Sequence, residues 1–311
     1  MRTLAVSASI ALVLTGSSLA GDETPLRVQG PAFAEGRAWR DLKAQVAFGP
    51  RVPGTPAHRK TRDWLVEQLS KAGAKVTLQP FSHVLRKRSV EMWNILAEIP
   101  GTGAGPTEQV LLAAHWDTRP TADKDPDIEN RKLPIDGAND GASGVAVLLE
   151  IARQLKASPI SRDVVIALFD GEDYGPSSAD MYLGSKYYAN NLPAKKPDWG
   201  ILLDMVGDKK LTIYREPNSE RYAKVVNDRI FRAARELCYI RTGHGSGFVN
   251  SLYSIALDDD HIPLNNAGIP TADLIDFDYP AWHTLGDTVD ACSSESLKIV
   301  GRVVLQALRS E

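Results

Sequence analysis

Residues Val164-Val165-Ile166-Ala167-Leu168-Phe169 are apolar at every position, so a strand made from them has no face fit for water and must be covered on both sides. Shorter apolar runs of the same kind, Val110 to His115 and Trp199 to Met205, alternate with longer stretches of helical spacing, Val145 to Leu155 and Tyr222 to Leu237. Strands buried on both faces and separated by helices are the pattern of an α/β domain with helices on both sides of a mostly parallel sheet. Upstream, residues 33–48 and 56–72 show helical spacing around the turn-rich Gly49-Pro50-Arg51-Val52-Pro53-Gly54-Thr55. At the other end, Ser296 to Leu308 reads as a closing helix packed on the sheet. No fixed-period repeat or low-complexity tract interrupts the pattern.

A chain of 311 residues with 43% hydrophobic and 24% charged residues carries enough apolar material for one large core. A single catalytic domain over residues 21–311 is the expected organisation. The net charge of -3 provides no basic field to gather phosphate backbones, which argues against nucleic acid as a partner. Residues 1–20 read as a secretory signal: Arg2, an apolar stretch from Leu4 to Leu14, then Ser18-Leu19-Ala20 before a polar segment. The stretch is too short and too interrupted by Ser7, Ser9 and Thr15 for a stable membrane anchor, since a span needs ~20 apolar residues. The expectation is export, to the periplasm or beyond. Cys238 and Cys292 are the only cysteines, structural residues that are either free or joined in one bridge.

Open α/β sheets hold their ligands outside the carboxyl ends of the strands. Here those positions are crowded with acids and imidazoles. The run ending at Ala114 leads into His115-Trp116-Asp117, and Phe169 into Asp170-Gly171-Glu172-Asp173. Leu203 leads into Asp204, and the run around Leu274-Ile275 into Trp282-His283. A glycine-rich loop, Gly137-Ala138-Asn139-Asp140-Gly141, opens a helix at the same edge. So much negative charge in one cleft is costly without a cation. Asp, Glu and His without a thiolate fit catalytic zinc, whereas calcium prefers more oxygens and no imidazole. In the adjacent pair Glu172 and Asp173, one acid can ligate and the other move protons. His58, His83 and His244 stand in turn or surface contexts without acidic neighbours and are read as structural.

His115-x-Asp117, Asp140 in its Gly-rich loop, Glu172-Asp173, Asp204 and His283 resemble, in order and context, the M28 metallopeptidases. The resemblance implies a three-layer α/β/α fold with a mixed, mostly parallel sheet. It also implies metal ligation by Asp140, Asp173 and His283, and in di-zinc aminopeptidases a second metal at His115 and Asp204. A narrower likeness lies in Asp258-Asp259-Asp260-His261-Ile262-Pro263 and Tyr279-Pro280-Ala281-Trp282-His283-Thr284, which resemble the C-terminal block of the zinc glutaminyl cyclases. His115-Trp116-Asp117-Thr118-Arg119-Pro120 resembles their bacterial branch.

The cyclase resemblance implies one zinc per chain and substrates that are peptides or proteins with N-terminal glutamine, converted to pyroglutamate with loss of ammonia. Glu172 would move the proton, Asp204 and Asp259 would hydrogen-bond into its network, and Trp282 and Tyr279 would wall the pocket. Asp260 and His261 are read as a helix-start cluster outside the site. The sequence departs from the family in two places. Asp173 stands where many relatives carry Glu, and no Trp follows the paired acids, so Tyr174 or Tyr182 would take its place. The alternative is a di-zinc aminopeptidase using the same acids, with two metals and an activated water.

Overall fold

A computed structural model describes residues 33–310 except 86, 105, 106, 244 and 246. The expected signal segment and His244 lie outside the described residues. The described residues open with helices α1 (Glu35–Ala47) and α2 (Pro56–Lys71). Thr55 caps α2 by accepting the His58 N–H, and Pro56 occupies its first turn, where a missing N–H costs nothing. Strands β1 (Lys75–Leu85), β2 (Arg88–Ile99) and β3 (Gln109–His115) follow, then α3 (Ala142–Ala157), β4 (Asp163–Phe169), α4 (Leu183–Asn190) and β5 (Trp199–Asp204). Next come β6 (Thr212–Arg215), α5 (Pro217–Tyr222), α6 (Lys224–Glu236), β7 (Ile240–Arg241) and β8 (Gly247–Leu252). The last elements are α7 (His261–Asn266), β9 (Thr271–Ile275) and α8 (Ser294–Arg309).

The main sheet runs β1-β2-β4-β3-β5-β9. From β4 to β9 all pairings are parallel, while β1 and β2 form an antiparallel hairpin on one edge. The sheet is therefore mixed and mostly parallel. Its central strands split their side chains between two cores, as an all-apolar strand must. Leu112 and Ala114 of β3, Ile166 and Leu168 of β4 and Ile201 and Leu203 of β5 pack with residues of α1, α3, α6 and α8. Leu111 and Ala113, Val165, Ala167 and Phe169, and Leu202 pack instead with Tyr188 of α4 and Leu264 of α7. Each fully buried Val, Leu, Ile or Phe side chain among them contributes ~1.5–3 kcal/mol.

At Gly144 an added Cβ would lie 2.3 Å from the Leu203 carbonyl oxygen, so the missing side chain lets the start of α3 press onto β5. Three features differ from the sequence reading. The β1–β2 hairpin and the small β6-β8-β7 sheet were not foreseen. The run from Tyr222 to Leu237 is broken at Ala223, between α5 and α6. No disulfide joins Cys238 and Cys292, one of the two arrangements that the sequence leaves open. Among the described residues, no helix is long and apolar enough to cross a membrane.

Candidate metal centre and its cavity

The parallel strands deliver their terminal residues to one edge of the sheet. His115 ends β3, Asp204 ends β5, Asp170 to Asp173 follow β4, and His283 lies beyond β9. Asp140 arrives on the loop before α3, whose path depends on left-handed backbone at Gly137 (φ 62) and Gly141 (φ 97). A Cβ on Gly141 would lie 2.5 Å from the Asp117 carbonyl oxygen, so no other residue fits there.

Two clusters share Asp140. Ligand atoms of Asp140, Asp173 and His283 lie within 4.8 Å of one another, as do those of His115, Asp140 and Asp204. Asp140 turns one oxygen to each histidine: Oδ1 is 3.2 Å from His115 Nε2, and Oδ2 is 3.6 Å from His283 Nε2. His283 Nε2 is also 3.4 Å from Asp173 Oδ1, and His115 Nε2 is 3.1 Å from Asp204 Oδ1. All five side chains are buried. Asp173 Oδ2 is buried without a hydrogen-bond partner, an orphan of the kind that a cation satisfies. Two carboxylates and an imidazole fit zinc at a catalytic site with room for a further ligand.

The surroundings fix these residues in place. Asp117 Oδ1 accepts the Glu172 N–H at 3.1 Å and Oδ2 the Asp173 N–H at 3.3 Å, so one carboxylate sets the loop that carries both acids. Arg119 pairs with Asp173 and, through Nε at 2.6 Å, with Asp123. Asp123 Oδ1 in turn stands 3.5 Å from His283 Nδ1, the position of a carboxylate that orients a ligating histidine. Asp287 accepts the backbone N–H of Asn139 at 2.8 Å and of Asp140 at 3.1 Å, which anchors the Gly-rich loop.

Electrostatics follow from burial and crowding. Burial, then the neighbouring Asp173, holds the Glu172 carboxyl well above its ordinary value. Burial and then Asp204 do the same to Asp259. For His283, burial works against the charged form, but Asp173 and Asp123 outweigh it and lift it to about 9.

The cluster opens into a small cavity of about 60 Å³ lined by Glu172, Asp204 and Asp259 and walled by Trp282, Phe277, Leu257 and Tyr182. That is far below the ~300–1,000 Å³ of pockets for drug-sized ligands. Trp282 stacks on His283, with ring centroids 4.1 Å apart. Tyr182, which the sequence left level with Tyr174, is the tyrosine at the cavity, and its hydroxyl donates to the Asp258 carbonyl at 2.6 Å. Tyr174 packs edge-on to His83 instead.

Tyr279 does not line the cavity. It is buried, and its hydroxyl donates to Asp287 at 2.8 Å, behind the Asp140 loop. His58 is not a surface residue either: it is fully buried, with Nε2 2.9 Å from both oxygens of Asp170 and its ring stacked on Trp116. His83 also has an acidic partner, Asp180, at 2.8 Å. Asp260 and His261 do begin α7, but both are buried; Ser185 donates to Asp260, and His261 lies 3.3 Å from Glu216. Sequence reasoning assigned no role to Asp117, Arg119, Asp123 or Asp287. Only Asp117 and Arg119 stood inside a recognised motif.

The sheet order and the paired Asp/His clusters at its carboxyl edge define a zinc-exopeptidase-type α/β fold. Residues 94–308 match the sequence profile of peptidase family M28, and the chain belongs to that family. Its structure is similar to that of Tannerella forsythia glutaminyl cyclase, with a TM-score of 0.83 and 39% identity, covering 90% of this chain and 100% of the other. It is equally similar to a Bacteroides thetaiotaomicron protein described as a leucine aminopeptidase precursor, with a TM-score of 0.84 and 36% identity, covering 92% and 100%. A Bos taurus glutaminyl-peptide cyclotransferase-like protein is 26% identical over 274 residues, 76% of this chain and 66% of that protein. The chain spans between 40% and 66% of the length of the first curated relatives it matches. The neighbours thus divide between cyclases and exopeptidases at similar identity.

Proposed function

We propose that this protein is a zinc-dependent glutaminyl-peptide cyclotransferase, which converts the N-terminal glutamine of peptides or proteins to pyroglutamate and releases ammonia. The observation that carries this reading is the small cavity of about 60 Å³ beside Asp140, Asp173 and His283, whose aromatic walls Trp282, Phe277 and Tyr182 confine a side chain next to the carboxylates. A confined chamber that the bound side chain fills favours attack by the substrate's own amine over hydrolysis. Asp140, Asp173 and His283 would hold the metal, which when bound supplies a Lewis acid for the γ-carbonyl oxygen. Glu172, buried next to these residues but outside their cluster, takes a proton from the α-amine and returns it to the leaving nitrogen. Asp204 and Asp259 line the same cavity and complete its proton network. Trp282 covers the glutamine methylenes. The apolar segment within residues 1–20 supports export of the enzyme.

A second reading, the di-zinc aminopeptidase, is favoured by one observation: the His115–Asp140–Asp204 cluster is complete and buried. Product masses separate the two. On the cyclase reading Gln-Phe-Ala loses ~17 Da, one ammonia, while Leu-Phe-Ala is unchanged. Free leucine from the second peptide, with zinc content near two per chain, would replace the cyclase reading by the peptidase one.

A further inference from the structure

A second and larger cavity adjoins the first. It is a groove of about 520 Å³ between α4 and α7, with Lys186, Ala189 and Asn190 on one side and Ile262, Pro263 and Asn266 on the other. Tyr182, Asp258 and Asp259 line both this groove and the metal-side cavity, so the two meet at the hydrogen bond from the Tyr182 hydroxyl to the Asp258 carbonyl. Lys186 fixes the mouth: its Nζ donates to the carbonyls of Ser178 and Met181 at 2.8 Å each.

The chemistry of the walls fits a peptide. Asn190 and Asn266 are exposed carboxamides, each offering two donors and an acceptor, which is what a main chain can pair with. Ala189, Ile262 and Pro263 give an apolar lining, and one lysine against Asp258 and Asp259 leaves no strong single-sign field. The length also matches. The eight residues of α4 rise ~12 Å, the reach of about three extended residues.

We propose that this groove holds about three residues that follow the reacting N-terminal residue, so that the enzyme selects peptide chains with apolar or small residues there over a free glutamine amide. The proposal rests on the reading that a peptide N-terminus reacts in the adjoining cavity. Binding energy gathered in the groove raises kcat/KM for longer substrates.

The test is a length series on the zinc-loaded enzyme: Gln-amide, Gln-Ala-amide, Gln-Ala-Val-amide and Gln-Ala-Val-Ala-amide. The expected result is a rise in kcat/KM of about tenfold across the series. Ala189→Trp, which fills the groove, abolishes the rise while Gln-amide turnover stays as in the native enzyme. The double variant Asn190→Ala/Asn266→Ala does the same by removing the carboxamides, and it decides the matter should the tryptophan variant fail to fold by its melting curve. A flat length profile in the native enzyme, or equal slowing of every substrate by the variants, overturns the groove. Failure of the cyclase reading looks different: Gln-amide is left uncyclised and Leu-peptides are cleaved. The same series built on leucine then tests the groove by the same two criteria.

Discussion

The Tyr279 hydroxyl donates a hydrogen bond to Asp287 at 2.8 Å, and the same carboxylate accepts the backbone N–H of Asn139 and Asp140. Tyr279 therefore acts on the metal loop from behind. Tyr279→Phe should cost about 1 kcal/mol of stability, one hydrogen bond, with little change in KM. Asp287→Ala strips the loop of two acceptors and should weaken zinc binding by ~10–100-fold. Zinc titration and peptide kinetics on both variants check this. A raised KM with unchanged zinc affinity in Tyr279→Phe would return this residue to the substrate pocket.

Glu172 stands beside the Asp140–Asp173–His283 cluster without belonging to it. Glu172→Gln should lower kcat by ~10²–10⁴-fold with zinc still bound, because a proton carrier is lost and no ligand is. Metal analysis alongside turnover decides. Loss of zinc from this variant, and its retention in Asp173→Asn, would reverse the two roles.

Trp282 is half-buried, stacked on His283 and exposed to the cavity. Trp282→Ala should raise KM strongly and shift the melting temperature little, since a true core aromatic costs ~3–5 kcal/mol when cut to Ala. A large drop in melting temperature with native kinetics in the folded fraction would make it a packing residue.

Glu216 supplies a test in pH. Burial pushes its carboxyl up, but contact with His261 and the backbone N–H of Asn218 and Leu257 outweigh that and hold it at about 2. Its folded value is below its unfolded one, so it stabilises the protein above pH ~4.5, and that stability is lost as pH falls toward 2. Glu216→Gln should be less stable than the native protein at pH 7 by about 2 kcal/mol after allowing for partial solvent screening. The gap should close on acidification. Denaturant melts of both proteins at pH 7, 4 and 3 measure it, and a gap independent of pH would show that the charge of Glu216 is immaterial.

Much of this architecture was legible because β3, β4 and β5 are apolar on both faces, and only a covered sheet accepts such strands. The β1–β2 hairpin was not legible. Its outer strand is exposed or half-buried along its whole length, so Lys75 to Leu85 carries no core pattern to read. The candidate site residues at or just past strand ends, His115, Asp173 and Asp204, were legible because the fold class says where to look. His58 was misread because its partner, Asp170, is 112 residues away in sequence. Asp287 was missed for the same kind of reason, since the loop it anchors begins nearly half a chain earlier.

The order of the sheet gives the site a timetable. Asp140 and Asp173 lie in the first two thirds of the chain, but His283 follows β9, the last strand in sequence and the sheet's other edge strand from β1. A ribosome reading toward residue 283 therefore carries a nascent chain with two of the three candidate ligands of the Asp140–Asp173–His283 set and no means of completing it. On the proposed reading, chains that stall or are clipped before that point would lack a complete set, and the site would form only once its framework is finished.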